Sequence, residues 1–541
     1  MHRVIAFSIF VLLIGCQGKG TESATVQQRD EIQHPPTAGW TIDETMEVRS
    51  VDNIRISPDG RRVLFAVRTA VLSGDKGEYL TQIYSANADG TNERSLTDSS
   101  YSATAAEWSP DGRWIAILSD RSGKTEGDTI WLVSGAGGTV RPIDVGGTGV
   151  TNIKWSPDGT KIAFTMPAPA SPIQVQAEQH ASAPQVVDAN MRNIQLWVIG
   201  IAQDGTPRGP ARAVSSGSMT VRIDTDFGNP FDWSPDGSAI AFAHSAHVDW
   251  WNNQPSTGIS IVDIASDQIR PFATGGAMAP SYSPDGRSIA YVAAAERYGD
   301  HKRNVFIGNT AGGPPHRLAD TFDRHPTLIG WSADGTRLYV SEVRQTVTRI
   351  SALPVSGGPV LDLDAGDSVL GAFTLDSSKT LVGFTRQTLA QPLEAYMTPL
   401  DKFHPVQVSH ANAALPAYPL PRTEVVRWSS FDGAEIEGLF TYPMNYEAGR
   451  RYPLIVAVHA GGQGFQQAFV ANPFRLPPTL LDSYPVTELS LRGYAILRCN
   501  SRGGLLPGYG HAYSVPFARV KDKAYHDVIS GVDTCHPNWS R

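Results

Sequence analysis

The chain runs to 541 residues, 41% apolar and 18% charged, with 51 glycines and 38 prolines. That composition excludes a disordered or collagen-like polymer and, at roughly 150 residues per domain, a single small domain. Lys and Arg number 45 against 53 Asp and Glu, a formal net charge of −8 with no long run of either sign, so the basic footprint of a nucleic-acid binder is missing and no nucleic acid is expected as a partner.

At the N-terminus, Met1-His2-Arg3 is short and positive, residues 4–14 are almost wholly apolar, and Gly15 stands just before Cys16. This is the layout of a secretory signal, and the apolar run is about half the roughly 20 residues needed to cross a bilayer. Leu13-Ile14-Gly15-Cys16 resembles a bacterial lipobox, which implies removal of the residues before Cys16 and a diacylglycerol on its thiol. An ordinary signal peptide with an incidental cysteine is the alternative. The expectation is a chain exported to the bacterial cell envelope and anchored on the periplasmic side of a membrane through Cys16, with a signal over 1–16 and a polar, aperiodic tether over 17–40. The other cysteines, Cys499 and Cys535, leave too few for a disulfide scaffold.

Beyond the tether a motif recurs. Ile-Ser-Pro-Asp-Gly begins at Ile56, Trp-Ser-Pro-Asp-Gly at Trp108, Trp155 and Trp233, Tyr-Ser-Pro-Asp-Gly at Tyr282 and Trp-Ser-Ala-Asp-Gly at Trp331. An eroded seventh copy reads Phe373-Thr374-Leu375-Asp376-Ser377-Ser378. From aspartate to aspartate, with Asp376 as the seventh, the steps are 52, 47, 78, 49, 49 and 42 residues; five of the six fall in or near the period of propeller blades, about 40–50 residues. Pro presets φ, Asp bonds the backbone and Gly closes the turn without steric cost. Runs such as Val63-Leu64-Phe65 and Ile240-Ala241-Phe242 follow each turn, apolar on both faces as strands between neighbouring blades should be. With a second β signal and a Gly-bearing turn inside each period, the pattern predicts a seven-bladed β-propeller of four-stranded blades over 41–410, the aromatic before each turn packing between blades. The long step contains an insert at 167–192, rich in Ala, Pro and Gln, that reads either as an overhang of one propeller mouth or as a disordered loop.

Residues 411–422 carry three prolines and read as a linker. The grammar then becomes α/β. A hairpin is predicted about Phe431-Asp432-Gly433, and the unbroken apolar run Leu454-Ile455-Val456-Ala457-Val458 predicts a buried parallel strand ending in His459-Ala460-Gly461-Gly462. A helix near 486–492, a strand over 494–498 and a turn-rich stretch over 500–510 follow. A helix over 522–532 would place Tyr525, Val528, Ile529 and Val532 on one buried stripe.

The order of these motifs carries a resemblance. Ser-Pro-Asp-Gly repeats, Tyr452-Pro453-Leu454-Ile455-Val456, the turn at His459, Asn500-Ser501-Arg502-Gly503 with Gly508-Tyr509-Gly510, and Asp527-Val528-Ile529-Ser530-Gly531-Val532-Asp533 resemble the prolyl oligopeptidase family of serine peptidases, nearest its dipeptidyl-aminopeptidase and acylaminoacyl-peptidase branch. It covers about residues 41–533. The resemblance implies a propeller capping an α/β-hydrolase domain, short peptides admitted to a chamber between them, acyl transfer as the chemistry, and Gly461 as a backbone donor of the oxyanion hole. Three departures stand against it. His459-Ala460-Gly461-Gly462 replaces His-Gly-Gly-Pro, Leu505-Leu506-Pro507 is extra, and no serine among the 541 residues has glycine both two before and two after. Without that nucleophile elbow, and with acid and base following it in chain order, no catalytic residue is assigned. The expectation is that 423–541 is an incomplete α/β-hydrolase domain of a truncated or frame-shifted product, inactive as it stands. The alternative is a non-catalytic envelope lipoprotein whose propeller binds a peptide or protein partner.

The remaining candidates are weaker. Gly461 and Gly462 serve equally well as tight-turn residues, and His459 reads as structural for want of a serine beside it. His511, Ser514 and Asp522 form a triad by composition alone. His244 and His247, with Asp249, have ligand spacing but lack the helical context that would aim both rings at one ion. Trp250-Trp251 either line the propeller mouth or pack within their loop, and Cys499 reads as a small buried hydrophobe. The sequence contains no cofactor motif.

Overall fold

Seven times along the chain a tight turn joins two antiparallel strands, and the serine and aspartate of the motif explain why. In six turns the serine hydroxyl donates to the aspartate at 2.6 Å, from Ser57 to Asp59 through Ser332 to Asp334. The same hydroxyl accepts the backbone N–H five residues on at 2.9–3.0 Å. The hydrogen bond from Ser332, with those from Thr336, holds the Asp334 carboxyl down to about 2. The closing glycine takes φ between 67° and 71° in all six, a left-handed conformation that side chains disfavour.

The computed structural model describes residues 39–541 apart from 74–75, 122–126, 139, 171–191, 216, 222–227, 247–256, 295–301, 365, 459–463, 472–484, 504–507, 511–512, 514–521 and 536–541. Gly39–Arg541 form one compact unit. Within it, seven consecutive antiparallel sheets span 50–95, 103–143, 153–213, 220–273, 278–317, 327–362 and 369–407, each running inner strand to outer strand in chain order. These are the seven blades. The fourth carries a fifth short strand, Thr220–Val221 pairing Ala239–Ser245 beside Phe231–Trp233.

The seventh copy of the motif is read two residues out of register in the sequence. Asp376 N–H donates to Leu381 O, as Ser332 N–H does to Arg337 O, and Lys379 N–H reaches Asp376 O as Gly335 N–H reaches Ser332 O. Asp376 therefore stands in the serine position, Ser378 in the aspartate position, and Lys379 in the glycine position with φ 57°. Asp376 Oδ1 accepts the N–H groups of Thr380 and Leu381 directly, so one carboxylate does the work of the serine–aspartate pair.

Where a tryptophan precedes the turn, its indole ties two blades together. The indole N–H of Trp108, Trp155, Trp233 and Trp331 donates to the carbonyls of Arg55, Glu107, Lys154 and Ser281, each on the inner strand of the preceding blade. Ring closure uses no strand exchange, since the first and last blades are each built from consecutive strands. Side chains close the seam instead: Val51, Ile54 and Phe65 of the first blade pack with Ala395 and Met397 of the last. Asn412 exchanges hydrogen bonds with the Arg49 backbone, and Ser377 donates to Pro58 O. Trp40, which the sequence places at the end of the tether, is buried edge-on against Tyr418 and Phe469.

The α/β segment contributes one mixed sheet in the order Thr423–Ser429, Glu435–Thr441, Ala495–Asn500, Leu454–Val458, with only the last pair parallel. Ala495–Asn500 is the fully buried central strand. Leu454–Val458, predicted as the buried strand, has a partner on one side only among the described residues; Leu454, Ile455 and Val456 are half-buried and Val458 is 46% exposed. Helices Val486–Leu491 and Lys523–Cys535 accompany the sheet. The expected stripe on the second is corrected: Tyr525 is exposed, and the face turned inward centres on Asp527 and Gly531. A polar residue leads that face because its partner is an arginine.

Because Trp331 is almost wholly buried and its indole N–H bonds Ser281 O at 2.9 Å, Trp331→Phe is expected to lower unfolding free energy by about 1–3 kcal/mol in urea titrations, from the lost hydrogen bond and lost contacts. An unchanged midpoint would remove the indole bond from the account of blade packing.

Candidate active site at the propeller face

The α/β segment is organised about Arg502. Its guanidinium bonds Asp527 through Nε and Nη2 and Asp432 through Nη1 and Nη2, while its backbone N–H also donates to Asp527 Oδ2 at 2.9 Å. Asp527 is fully buried and accepts the Ser430 hydroxyl at 2.6 Å, and its carbonyl takes the Trp428 indole N–H at 2.8 Å. One bidentate cation thus fastens helix Lys523–Cys535, the turn after the central strand and the first hairpin to each other. Asp432, bonded by Arg502, is held well below the usual carboxylate range. Gly531 lets the helix lie against Trp428; a Cβ there would stand 2.7 Å from the indole.

A second polar cluster lies at the end of the central strand. Asn500 clasps the backbone of Phe465, accepting its N–H at 2.6 Å and donating to its carbonyl at 3.0 Å. Its amide also donates to the Tyr509 hydroxyl at 2.7 Å, which donates to Glu437 at 3.2 Å. Burial raises the Tyr509 phenol, with the Glu437 charge adding to the rise, so it stays a neutral hydrogen-bonding group. Asn500 therefore anchors the chain just after 459–463, the segment that follows strand Leu454–Val458.

The same end of the sheet meets the propeller. Gly508 N–H donates to Asp323 Oδ2 at 2.5 Å and its carbonyl accepts Gln345 N–H at 2.6 Å. With φ 109° and Val343 Cγ1 only 2.9 Å from a hypothetical Cβ, position 508 admits glycine alone. Gln467 bonds Thr346, Phe469 N–H reaches Gln387, and Val470 N–H reaches Leu389 O. The partners at 345–346 and 387–389 lie at or beside the connections between second and third strands of the sixth and seventh blades, the end opposite the Ser-Pro-Asp-Gly turns. These polar contacts are what the segment offers the propeller, and Asn500 beside them is fully buried.

The sequence candidates fare unevenly. Gly461, His459 and Gly462 lie outside the described residues, as do Cys16, His511, Ser514, His247, Asp249 and Trp250-Trp251. Asp522 is exposed and faces His526 at 3.5 Å. His244 is paired with the Ser260 hydroxyl at 2.8 Å, and its burial lowers its pKa, which favours the neutral ring. Among the described residues no group of three or more His, Cys, Asp or Glu could hold a metal ion, and no helix is long and apolar enough to cross a membrane. Cys499 is buried and its thiol is pushed up by burial; Cys535 is likewise pushed up to about 11. Asp323 went unmarked in the sequence because nothing local distinguishes it from other loop aspartates; its partner is 185 residues away.

The propeller matches a known family: the TolB beta propeller domain covers residues 50–191. Among curated proteins, the dipeptidyl-peptidase 5 of Porphyromonas gingivalis is 22% identical over 508 residues, covering 88% of this chain and 71% of that one. Among solved structures, the acylaminoacyl peptidase of Pyrococcus horikoshii matches with a TM-score of 0.68 at 16% identity, over 92% of this chain and 72% of that one. An acylaminoacyl peptidase complexed with a peptide chloromethyl ketone matches with a TM-score of 0.70 at 16% identity, over 93% of this chain and 73% of that one. The homologues are peptidases with the same two-part fold.

Burial pushes the Asp323 carboxyl up to about 7, against the Gly508 N–H and with the neighbouring Glu342 charge adding to the rise; Lys302 acts the other way. Glu342 is raised by burial too, against the N–H of His325 and the Thr321 hydroxyl. The folded chain therefore holds a proton on Asp323 that the unfolded chain releases near pH 4, so the contribution present at low pH is lost as pH rises through about 7. Asp323→Asn keeps an acceptor for Gly508 and removes the buried charge. Urea unfolding at pH 5 and pH 8 is expected to show a smaller loss in this variant than in wild type, a difference of at most roughly 3 kcal/mol. A variant that loses as much as wild type would clear Asp323 of that role.

Proposed function

We propose, from the chain's place among the peptidases of the prolyl oligopeptidase family, that it is the propeller and the leading α/β-hydrolase half of an exported serine-type peptidase acting on short peptides. The observation that carries this reading is the sheet order, with central strand Ala495–Asn500 between Glu435–Thr441 and the parallel Leu454–Val458, set against the propeller face. Strand Leu454–Val458 leads in sequence to Gly461, and Asn500 holds Phe465, four residues further on. A backbone N–H at Gly461, aimed at a developing oxyanion, is one half of what acyl transfer needs. Peptide carbonyls are the substrate class that such a donor would suit.

The other half is a nucleophile with its base and orienting acid, and the 541 residues hold no Gly-x-Ser-x-Gly to provide it. In this reading these 541 residues bind short peptides without cleaving them. Purified protein is expected to release no fluorophore above blank from a dipeptidyl-methylcoumarylamide; steady turnover would overturn the inactivity. Sequencing the coding DNA through and beyond codon 541 tests the ancestry. A frame continuing into Gly-x-Ser-x-Gly, then Asp and His, carries the peptidase reading, and its absence leaves the propeller as the seat of function.

The lipobox-like Leu13-Ile14-Gly15-Cys16 supports export and attachment to a membrane of the bacterial envelope through diacylglycerol on Cys16. In a bacterial host fed a labelled fatty acid, the chain is expected to take up label and Cys16→Ser to take up none. Equal labelling of both would sink the anchor.

A further inference from the structure

At each of the first four blade interfaces an arginine of one blade reaches across to the next. Arg62 donates to Gly135 O with its guanidinium 4.6 Å from the centre of the Trp108 ring, and Arg141, Arg212 and Arg270 donate to the carbonyls of Asp204, Ile264 and Thr310. They come from two register positions: Arg62 stands two residues after its motif glycine, and the other three lie on outer strands opposite Leu132, Val198 and Ile261. In the fifth blade Ser288 holds the first position and the exposed His316, opposite Ile307, holds the second. The sixth blade has Arg337 at the first position, and at the seam Leu381 of the seventh comes within 3.3 Å of a Cβ placed on Gly60.

The sixth blade nevertheless keeps the groups that receive an arginine. Trp331 heads its turn as Trp108 does. Val355 is the counterpart of Gly135, Ile264 and Thr310, since each donates its N–H to the residue just after a motif glycine: Thr336, Arg113, Ser238 and Arg287 respectively. Among the described residues Val355 O accepts no hydrogen bond. Between the fifth and sixth blades, at the turn end of the propeller, lies a cavity of about 400 Å³ lined by Ser288, Ile307, Trp331 and Val355 and by the turn aspartates Asp285 and Asp334. Oδ1 of each aspartate is taken by its own turn, and Oδ2 accepts no hydrogen bond among the described residues. Hydrogen bonds from the Ser283 and Ser332 hydroxyls hold both carboxyls below their usual range, so both are charged. Of the cations that flank the cavity in sequence, Arg317 is paired with Asp320, and Arg287 and Arg337 are exposed.

We propose that the cavity between the fifth and sixth blades is a guanidinium-binding site that takes an arginine side chain from a peptide. The molecule supplies the pattern for it. Trp331 would receive the flat face of the guanidinium as Trp108 receives that of Arg62, and Val355 O would accept an N–H as Gly135 O does. The carboxylates of Asp285 and Asp334 complement its charge. An apolar wall of Ile307 and Val355 suits the methylene stem. The site lies at the end of the propeller away from the α/β segment and does not depend on the peptidase reading.

Equilibrium dialysis of the 541-residue chain tests this without requiring hydrolysis, so an inactive chain leaves it intact. The probes are acetyl-Ala-Arg-Ala amide, the same peptide with citrulline, which keeps the shape and loses the charge, and the same peptide with lysine. The arginine probe is expected to bind at least about 10-fold tighter than the citrulline probe. The lysine probe should fall between them, because an ammonium has neither the flat face nor the fork of donors. Two variants fill the cavity from within: Ser288→Arg copies the position of Arg62, and His316→Arg copies that of Arg270. Each should abolish the preference for arginine, with a urea midpoint equal to or above that of wild type, which separates a filled site from a lost fold. Equal affinity for the arginine and citrulline probes, lysine binding as tightly as arginine, or unchanged binding in both filled variants would each overturn the proposal.

Discussion

The molecule depends on a short polar device, a serine hydroxyl held between an aspartate carboxylate and a backbone N–H, repeated around a ring. Each copy fixes the turn that sets one inner strand, and four inner strands offer a carbonyl to the indole of a following blade. The hydrogen bonds are individually modest, on the order of 1 kcal/mol. Their value is geometric, since seven apolar sheets can stack face to face only when every turn begins at the same height. Because no strand is shared across the seam, closure rests on Val51, Ile54 and Phe65 against Ala395 and Met397, and on Asn412 against the Arg49 backbone. The linker after the seventh blade is therefore also part of the lock.

Where the propeller meets the α/β segment, the chemistry shifts from apolar stacking to sparse polar contacts. Gly508 is threaded between Val343 and Gln345 with its N–H on Asp323, and Gln467 bonds Thr346. Asp323 Oδ1 and Glu342 Oε2 have no partner among the described residues. Two carboxyls raised by burial at a seam make it sensitive to protonation in a way that the apolar blade interfaces are not.

The propeller was legible in the sequence because its signal is periodic and local: turn residues at fixed offsets, a two-sided apolar strand after each, an aromatic before five of them. Its failure at the seventh copy is instructive. Asp376 looks like the motif's aspartate but does the serine's work, and Lys379, not a glycine, holds the left-handed position. In the α/β segment the hairpin, the central strand and helix Lys523–Cys535 were readable, whereas the helix's inward face was not, because hydrophobic periodicity cannot register that a buried face is led by Asp527 when Arg502 supplies its charge. Leu454–Val458 was apolar enough to predict full burial, yet burial of a strand depends on neighbours at both edges.

The sequence by itself determined the number of blades, the turn chemistry, the change from propeller to α/β order, and the absence of a nucleophile elbow from the 541 residues. These follow from short-range rules: which residues fit a tight turn, which alternate or run unbroken, which motif a reaction requires. Only the tertiary structure decided that Asp323 meets Gly508, that Asn500 holds Phe465 and Tyr509, and that Asp527 is clamped by Arg502. Each of these pairings joins groups that ring closure or sheet packing brings together from distant stretches of chain. Their energies come from desolvation and from charges placed face to face, quantities that no local pattern encodes.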